Sequence, residues 1–561
     1  MEKYDAGYPA GEFSTIWRSV SQEPLVKTAS RPRIGFLELD ITLQNLLRFL
    51  VFAGGSVPER LVTKVSLNTF WGTDGEVRVK HGVAAAFIPD APTTLSNLEY
   101  LEQEGYITST LEQQRIYLAA PATGTSVIEN TTDVLYWKWL VATAIFEAFP
   151  KDREIEPVYY SSTGQSLIRN ANLALSYFLE NENHFDKTLV VEACMAISYF
   201  GSASWKRLTI SLAESACDGV CDPALHAMVM LRKTRLARIY RGGNVISGPL
   251  WTLDQIRTSL SSRDPVEPRS NAHLGELVLF RAQLVVDRGG KTQDVQNILK
   301  EFHALGRPST LEHSILHECQ FILARSLRFQ GRFDEAASCL QELFQRTAKR
   351  SVPKSAALHF SDVECEREHS MQAIRFLESE SVVAGTISGS KHWRQLQFSR
   401  ANANLMCGLW NWVRKRERNS RWFEDAKNLF PDAQKGIEES AFHRHMVFGV
   451  HAGLGMIYLV QNDMEAAFSS WTEALDIAKE CWPEPGHSEM ITLYALSQVY
   501  YRIGRDGAHE LAASARAIFR NKGRQYYFVG QGTLWLDVLS DLAEDDGQQR
   551  LVSRVELSMS S

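Results

Sequence analysis

The 561-residue chain lacks a long apolar run, a basic amino-terminal segment and a strong excess of either charge. No stretch approaches the roughly 18 apolar residues that a membrane-spanning helix needs, and the best one, residues 46–53, is short and contains Arg48. No basic region followed by an apolar one opens the chain, so we expect no secretory signal. A formal net charge of −6 disfavours a protein that mainly coats nucleic acid or anionic lipid, although it leaves room for a local basic patch.

Cysteine is also scarce. The chain has eight cysteines, which are scattered through apolar helical stretches and include Cys194, Cys319 and Cys407. This scatter indicates free thiols in a reducing compartment rather than a disulfide framework, and it favours a cytoplasmic protein. With 44% hydrophobic and 22% charged residues, the composition is typical of a folded chain. Its length fits two domains or one extended array.

A phosphate-binding loop is missing as well. The stretch from Gly289 to Thr292 ends like one, but a true loop needs a glycine five residues before Gly290, and Val285 stands there. The preceding residues have apolar positions at helical spacing, so the glycine pair is interpreted as a helix end. We therefore predict no nucleotide cofactor.

Metal and nucleophile motifs are incomplete. His313 and His317 are one helical turn apart, with Cys319 nearby, but no third ligand is evident. A second group is spaced too widely for a zinc knuckle and lacks another cysteine pair: Cys217, Cys221 and His226. No Gly-x-Ser-x-Gly turn or reactive-cysteine signature occurs. The sequence predicts neither a metal site nor catalytic residues, and it does not favour an enzyme.

The clearest pattern that is present lies at residues 451–479. Leu454 and Tyr458 fall at helical spacing, a polar turn interrupts, and Ala467 and Trp471 resume the period. Gly455 is small where two antiparallel helices would approach closely. This order of small and aromatic positions resembles the tetratricopeptide repeat (TPR), a helical hairpin that cannot bury its apolar face alone and stacks on neighbours.

Similar hairpins are predicted along most of the chain, at residues 165–200, 224–260, 274–305, 312–348, 354–378, 391–439 and 488–519. The clear ones are spaced about 41 or 42 residues apart, more than the roughly 34 of the common repeat, and longer loops explain the excess. The expected fold class is therefore mainly α. An α-solenoid, a TPR-like superhelix, should occupy residues 130–543, before a polar tail at 544–561.

The amino-terminal part has a different pattern. Residues 1–35 are predicted to be irregular. Helices are predicted at 37–53, 59–66 and 93–104, with a Gly- and Pro-rich loop before the third. Residues 106–119 alternate between apolar and polar types, which predicts a two-stranded hairpin. Three helices followed by a hairpin predict a winged-helix domain at residues 36–120.

The order of segments LLRFLVFAGGSVPERLV, LSNLEYLEQEGYI, QQRIYLAA and YWKWLVATAIFEAFP resembles the stretch that follows the nucleotide-binding module in NLR-like (STAND-type) signalling ATPases of filamentous fungi. In that family a winged helix leads into TPR or other repeats. The similarity covers roughly residues 13–150 plus the repeats. These 561 residues depart from the family pattern twice: no histidine motif follows the wing, where residues 116–120 stand instead, and they contain no phosphate-binding loop of the family's ATPase. The resemblance implies a sensor half without its motor.

A winged helix also allows an alternative function, that of a DNA-binding transcriptional regulator. The third helix would enter the major groove, but it carries Glu99, Glu102 and Glu104 and no lysine or arginine. Its charge would repel phosphates, so nucleic acid is a disfavoured partner and protein packing is the expected use of this module.

Two basic clusters are the candidate partner-binding residues. Arg232, Arg235, Arg238 and Arg241 recur every three residues on a predicted first helix, and first helices line the inner groove of such repeats. Guanidinium groups there suit an acidic peptide segment, while a solvated helix face paired with local acids is the other interpretation.

The second cluster lies among tryptophans and consists of Arg414, Lys415, Arg416, Arg418 and Arg421. Such density is typical of a nuclear import signal, of a phosphate-contacting patch or of an exposed insertion. Nearby aromatic residues are candidates either for partner contact or for the core: Trp393, Trp410, Trp412 and Tyr458. Together these features predict a non-enzymatic scaffold or regulator that binds proteins along the concave repeat surface.

Overall fold

A computed structural model describes residue 32 and residues 34–545, apart from 112–114, 152–159, 221, 242–256, 259, 261–266, 289, 347–353, 384–385, 387, 389, 436–440 and 483–484. Within this part the protein is mainly helical. The chain forms two compact units, one of Met1–Gly72 with Val77–Val229 and one of Thr73–Glu76 with Met230–Ser561. The predicted boundary between residues 120 and 130 falls inside the first unit.

The first unit begins with short helices and strands. The helices are α1 (Ile41–Phe52), α2 (Glu59–Lys64), α3 (Ala91–Gln103) and α4 (Pro121–Glu129). The strands are β1 (Ser56–Pro58), β2 (Leu67–Trp71), β3 (Val77–His81), β4 (Ile107–Leu111) and β5 (Arg115–Ala119). An antiparallel sheet has the order β1-β5-β4, and β2 pairs with β3 in a separate hairpin.

Local sequence accounts for these helix boundaries. Asp40 and Asp90 precede α1 and α3, and each accepts a hydrogen bond from a main-chain N–H of the first turn. Gly54 and Gly55 end α1 with φ of 100° and 68°, a conformation that glycine adopts without strain. The predicted helices at 37–53, 59–66 and 93–104 and the hairpin at 106–119 correspond to α1, α2, α3 and β4–β5.

The expected loop between the second and third helices is partly wrong, because it contains the β2–β3 hairpin and a 3-10 turn at Val83–Ala86. Residues of β3 alternate between apolar and polar types, but the run is only five residues long and largely exposed, so it does not mark a half-buried strand.

Further helices complete the first unit: α5 (Val134–Ala148), α6 (Tyr160–Ser166), α7 (Ile168–Glu180), α8 (Lys187–Ile197) and α9 (Ala203–Cys217). α5 is buried from Leu140 to Glu147 and packs against α7, while α8 packs against α9. The next helix, α10 (Pro223–Arg241), contains the residue at which the second unit begins.

The second unit consists of helices that pack in consecutive pairs. They are α11 (Pro268–Asp287), α12 (Thr292–Leu299), α13 (Thr310–Phe329), α14 (Phe333–Arg346), α15 (Lys354–Glu366), α16 (Ser370–Glu378), the short α17 (Glu380–Val383), α18 (Lys391–Lys415), α19 (Arg421–Gln434), α20 (Ala441–Gln461), α21 (Met464–Cys481), α22 (His487–Arg502), α23 (Ala508–Lys522) and α24 (Leu534–Asp545). The pairs α11–α12, α13–α14, α15–α16, α18–α19, α20–α21 and α22–α23 match six predicted hairpins. Each pair also packs against the next, as in an α-solenoid.

The α20–α21 pair shows why small residues are needed. Gly455 lies beneath the indole of Trp471, and a Cβ on Gly455 would be 2.9 Å from three of its ring atoms. Asn462 turns the chain with φ of 65°, and Asp463 accepts a hydrogen bond from the Ala466 N–H at the start of α21. The prediction of close helix approach at Gly455 is confirmed.

None of the described helices is both long enough and apolar enough to cross a membrane.

Seven cysteines lie within the described part of the chain, and all seven are free thiols. Burial raises the pKa of Cys194 and of Cys319 to about 12, so both stay protonated and unreactive at neutral pH. The prediction of free thiols is confirmed for these seven; Cys221 lies outside the described residues.

Candidate functional site

The main candidate is a surface already covered by part of the chain. Residues 523–533, between α23 and α24, form no helix or strand and carry three adjacent rings, Tyr526, Tyr527 and Phe528. This 523–533 segment lies against α13, α15, α18, α20 and α22, the first helices of five successive pairs. We call the contacted sides of these five helices the inner face.

Aromatic contacts hold the first half of the segment. The ring of Tyr527 meets that of Phe329 on α13 edge to face, with centroids 4.8 Å apart. Phe528 lies 5.1 Å from Phe448 on α20 and 6.2 Å from Trp482. Such ring pairs contribute roughly 0.5–1.5 kcal/mol each beyond their buried area.

Hydrogen bonds to the main chain hold the second half. The Gly530 N–H donates to Oε1 of Glu366 on α15 at 2.8 Å. Both ring nitrogens of the buried His487 on α22 face carbonyls, that of Gly523 at 3.3 Å and that of Gln531 at 3.1 Å. Burial lowers the pKa of His487, and the two carbonyls oppose this effect. A neutral imidazole has a single N–H, so it can donate to only one of the two.

Gly530 itself cannot be replaced easily. Its φ is +78°, and a Cβ would clash with Sδ of Met406 on α18 and lie 2.7 Å from the indole nitrogen of Trp535. The inner face therefore accepts glycine at this point and excludes larger residues.

A charged group lies beneath the segment. Arg328, only 2% exposed, forms an ion pair with Oδ2 of Asp362 at 3.2 Å and donates to Nδ1 of His359 at 3.3 Å and to the Tyr527 carbonyl at 3.4 Å. We call Arg328, His359, Asp362 and Glu366 the polar cluster. Because α13 supplies the cation and α15 the other three groups, the cluster joins two neighbouring helical pairs.

Burial dominates the protonation of this cluster. It lowers the pKa of His359 well below the usual value, with help from the charge of Arg328, so His359 is neutral at pH 7. It also raises the pKa of Asp362, against the attraction of Arg328. The pKa of Glu366 rises to about 7, mainly through burial, while the Gly530 N–H and Arg328 oppose the rise.

The helix that follows the segment belongs to the core. In α24, Trp535 meets Trp471 edge to face at 6.2 Å, and Leu539 and Leu542 are fully buried. α24 packs against α18 and α22. Asp541 pairs with Arg416 at 3.1 Å, so α24 is fixed at its polar side as well.

Two arginines of the predicted cluster on α10, Arg232 and Arg235, are described by the structure. Arg235 donates to Oε2 and to the carbonyl of Glu276 on α11, both at 3.0 Å. Arg232 is 9% exposed. Arg238 and Arg241 belong to the same helix, but their side chains lie outside the described residues. The local acid pairing that the sequence left open applies to Arg235, and an acidic partner for the cluster stays a prediction.

The second basic cluster lies at the exposed end of α18. Arg414 pairs with Glu368 at 2.8 Å and lies 5.5 Å from the Trp410 ring, and Arg416 lies 4.4 Å from the Trp412 ring. Lys415 and Arg418 are exposed, and neither forms an ion pair within the described ranges. Arg421 stacks on its neighbour Trp422 at 4.4 Å.

Of the aromatic candidates, Trp412 is 1% exposed and belongs to the core, which is one of the two alternatives that the sequence left open. Trp393, Trp410 and Tyr458 are half-buried.

The rings of His313 and His317 lie 6.2 Å apart, and no group of three or more His, Cys, Asp or Glu side chains in the described part of the chain could hold a metal ion.

On α3, Glu99 is exposed, and Glu102 accepts hydrogen bonds from the N–H and the hydroxyl of Ser109. The helix that would enter a DNA groove thus presents negative charge.

No protein-family model matches this chain, and no curated protein matches it.

Sequence reasoning missed both the 523–533 segment and the polar cluster. One signal was available: three adjacent aromatic residues stand in a connection without helical period, and an irregular stretch of that kind needs a surface that covers its rings. Nothing in the sequence pairs Arg328 with Asp362, because they lie on helices of different hairpins.

Proposed function

We propose that this chain is a non-enzymatic scaffold or regulatory protein and that its helical pairs are TPR-like repeats whose inner face binds a segment of a partner protein. One observation carries the proposal: a single nonhelical segment lies across the first helices of five successive pairs. A face that holds one such segment has the rings, donors and acceptors that a partner's segment would require.

The amino-terminal elements fit the same proposal. The succession of α1, β1, α2, α3, β4 and β5 is the element order of a winged helix, with the β2–β3 hairpin inserted between its second and third helices. Because α3 exposes Glu99 and contains no lysine or arginine, we assign this module to protein packing rather than to DNA reading. In the NLR-like family resembled by the sequence, this arrangement would serve as the sensor portion, and that assignment rests on analogy.

Site-specific photo-cross-linking in the cell of origin tests the proposal. One full-length variant carries p-benzoylphenylalanine at His445, an exposed position on α20 whose ring meets that of Trp482 edge to face at 4.8 Å. The matched control carries it at Ser469, an exposed position on the second helix α21.

We expect a discrete protein adduct at position 445 and none at 469. Absence of an adduct at 445, or equal capture at both positions, would contradict partner binding by the inner face.

A further inference from the structure

We infer that the 523–533 segment is a displaceable internal ligand and that the partner is a protein segment of the same chemistry: two adjacent aromatic residues, an apolar residue such as the buried Val529, then glycine. The inference rests on the proposed function, since it names the partner of the same face. Its pattern is that of Tyr527-Phe528-Val529-Gly530.

Each position of this pattern has its own site. The first ring packs on Phe329 and the second between Phe448 and Trp482. The glycine position supplies its N–H to Glu366 and leaves no room for a Cβ beside Met406 and Trp535. The chemistry selects aromatic rings and a backbone donor, and it requires no charge on the partner.

The segment is held less completely than the helix that follows it. Tyr526, Tyr527 and Phe528 are each half-buried, whereas the apolar residues of α24 are buried. Within the part of the chain that the structure describes, Nε of Arg328 and Oε1 of Gln531 are buried without a hydrogen-bond partner. Unsatisfied buried groups each cost roughly 1–3 kcal/mol, so the internal contact leaves affinity that a better ligand can gain.

A tethered ligand competes strongly with an external one. A short flexible connection gives an effective concentration near the millimolar range, so free peptide binds the intact protein weakly even if its intrinsic affinity is good. Weakening the internal segment should therefore raise the apparent affinity for an external copy.

The test uses a fluorescein-labelled peptide of residues 523–533 and full-length proteins, with fluorescence anisotropy as the readout. The test variant is Tyr527→Ser with Phe528→Ser. The matched control is Leu135→Ser with Tyr136→Ser, an adjacent pair that is 62% and 48% exposed in the first unit. Peptides with serine at both aromatic positions, or with Gly530→Ala, serve as ligand controls.

The test variant should bind the peptide at least about tenfold more tightly than the wild type and the control variant do. Both altered peptides should lose at least about tenfold in affinity for the test variant. Equal binding to all three proteins, or tight binding of the altered peptides, would overturn the proposal.

Hydrogen exchange on the unmodified protein covers the case in which the test variant does not fold. Saturating peptide should speed exchange at residues 523–533 by at least about tenfold while exchange in α24 stays unchanged, and unchanged exchange in the segment would overturn the proposal. A concentration-dependent dimer of the wild type that exchanges this segment would also overturn it, since the occupant would then be a second copy. Partner adducts at position 445 without peptide displacement would leave the proposed function standing and remove only this inference.

Discussion

Two regions of the second unit bury opposite kinds of side chain. At the α20–α21 junction the interior is apolar, and Gly455 lies directly under the fully buried ring of Trp471. Between α13 and α15 the interior holds Arg328 and Asp362 instead, with Glu366 next to them.

The difference lies in what each region needs to be complete. The α20–α21 junction takes apolar groups from its two helices and the Trp535 ring from α24, and its stability comes from packing and burial of apolar area. The polar cluster takes further partners from residues 527 and 530, which lie far along the chain. Its charges are costly to bury unless they are paired, so it couples two helical pairs to the segment that covers them.

The largest effect is expected from a change in the apolar α20–α21 junction. Trp471→Ala removes a fully buried ring that packs on Gly455 and Trp535, so we expect a loss of about 3–5 kcal/mol in the free energy of unfolding. Trp422→Ala is the control, because this ring is half-buried beneath Arg421 and should cost clearly less. Urea denaturation followed by circular dichroism measures both, and equal losses would contradict the apolar junction.

A second change removes the cation of the polar cluster. Arg328→Met keeps an unbranched apolar stem but leaves Asp362 and the Tyr527 carbonyl without their cation, and we expect a loss of about 3 kcal/mol. Adding Asp362→Asn removes the uncompensated charge and should restore at least part of that loss. If the double variant is no more stable than Arg328→Met alone, the pair is not the stabilising element of the cluster.

A third change tests the close helix approach at Gly455 in the apolar junction. Gly455→Ala places a Cβ 2.9 Å from the Trp471 ring, and the resulting overpacking should cost about 1–3 kcal/mol. Gly124 is a matched control in α4, where a Cβ would meet nothing within 4 Å. Since alanine favours a helix by up to about 1 kcal/mol over glycine, Gly124→Ala should be neutral or stabilising, and thermal denaturation compares the two.

The repeated hairpins were predictable because helical periodicity and small residues at crossing points are local signals. The match of residues 451–479 to α20–α21 depends on neighbours such as Gly455 and Trp471 within one hairpin. The polar cluster was not predictable in this way, because Arg328 and Asp362 meet only after two hairpins have packed. Likewise, the contact of Gly530 with Glu366 spans 164 residues and leaves no periodic trace. Sequence reasoning thus located the helices that form the inner face, but it could not show that the chain covers that face itself.

The smallest expected effect is a pH dependence that only the polar side of the comparison should show. The pKa of Glu366 is raised from 4.5 to about 7 in the folded protein, so the folded state keeps its proton over a range in which the unfolded chain has released it. The stabilising contribution is complete below about 4.5 and is lost as the pH rises through 7. Because the carboxyl is only partly buried by surface area, we expect the change to be about 1–2 kcal/mol.

Glu366→Gln removes this titration while it keeps an oxygen that can accept the Gly530 N–H. The free energy of unfolding of the wild type relative to this variant should therefore fall between pH 5 and pH 8, as measured by urea denaturation. Trp471→Ala offers the contrasting case, since its ring packs on Gly455 and Trp535, which do not ionise, and its loss should shift the free energy by the same amount at both pH values. A constant difference between the wild type and Glu366→Gln would mean that the carboxyl opens to water and that the 523–533 segment does not cover it in solution.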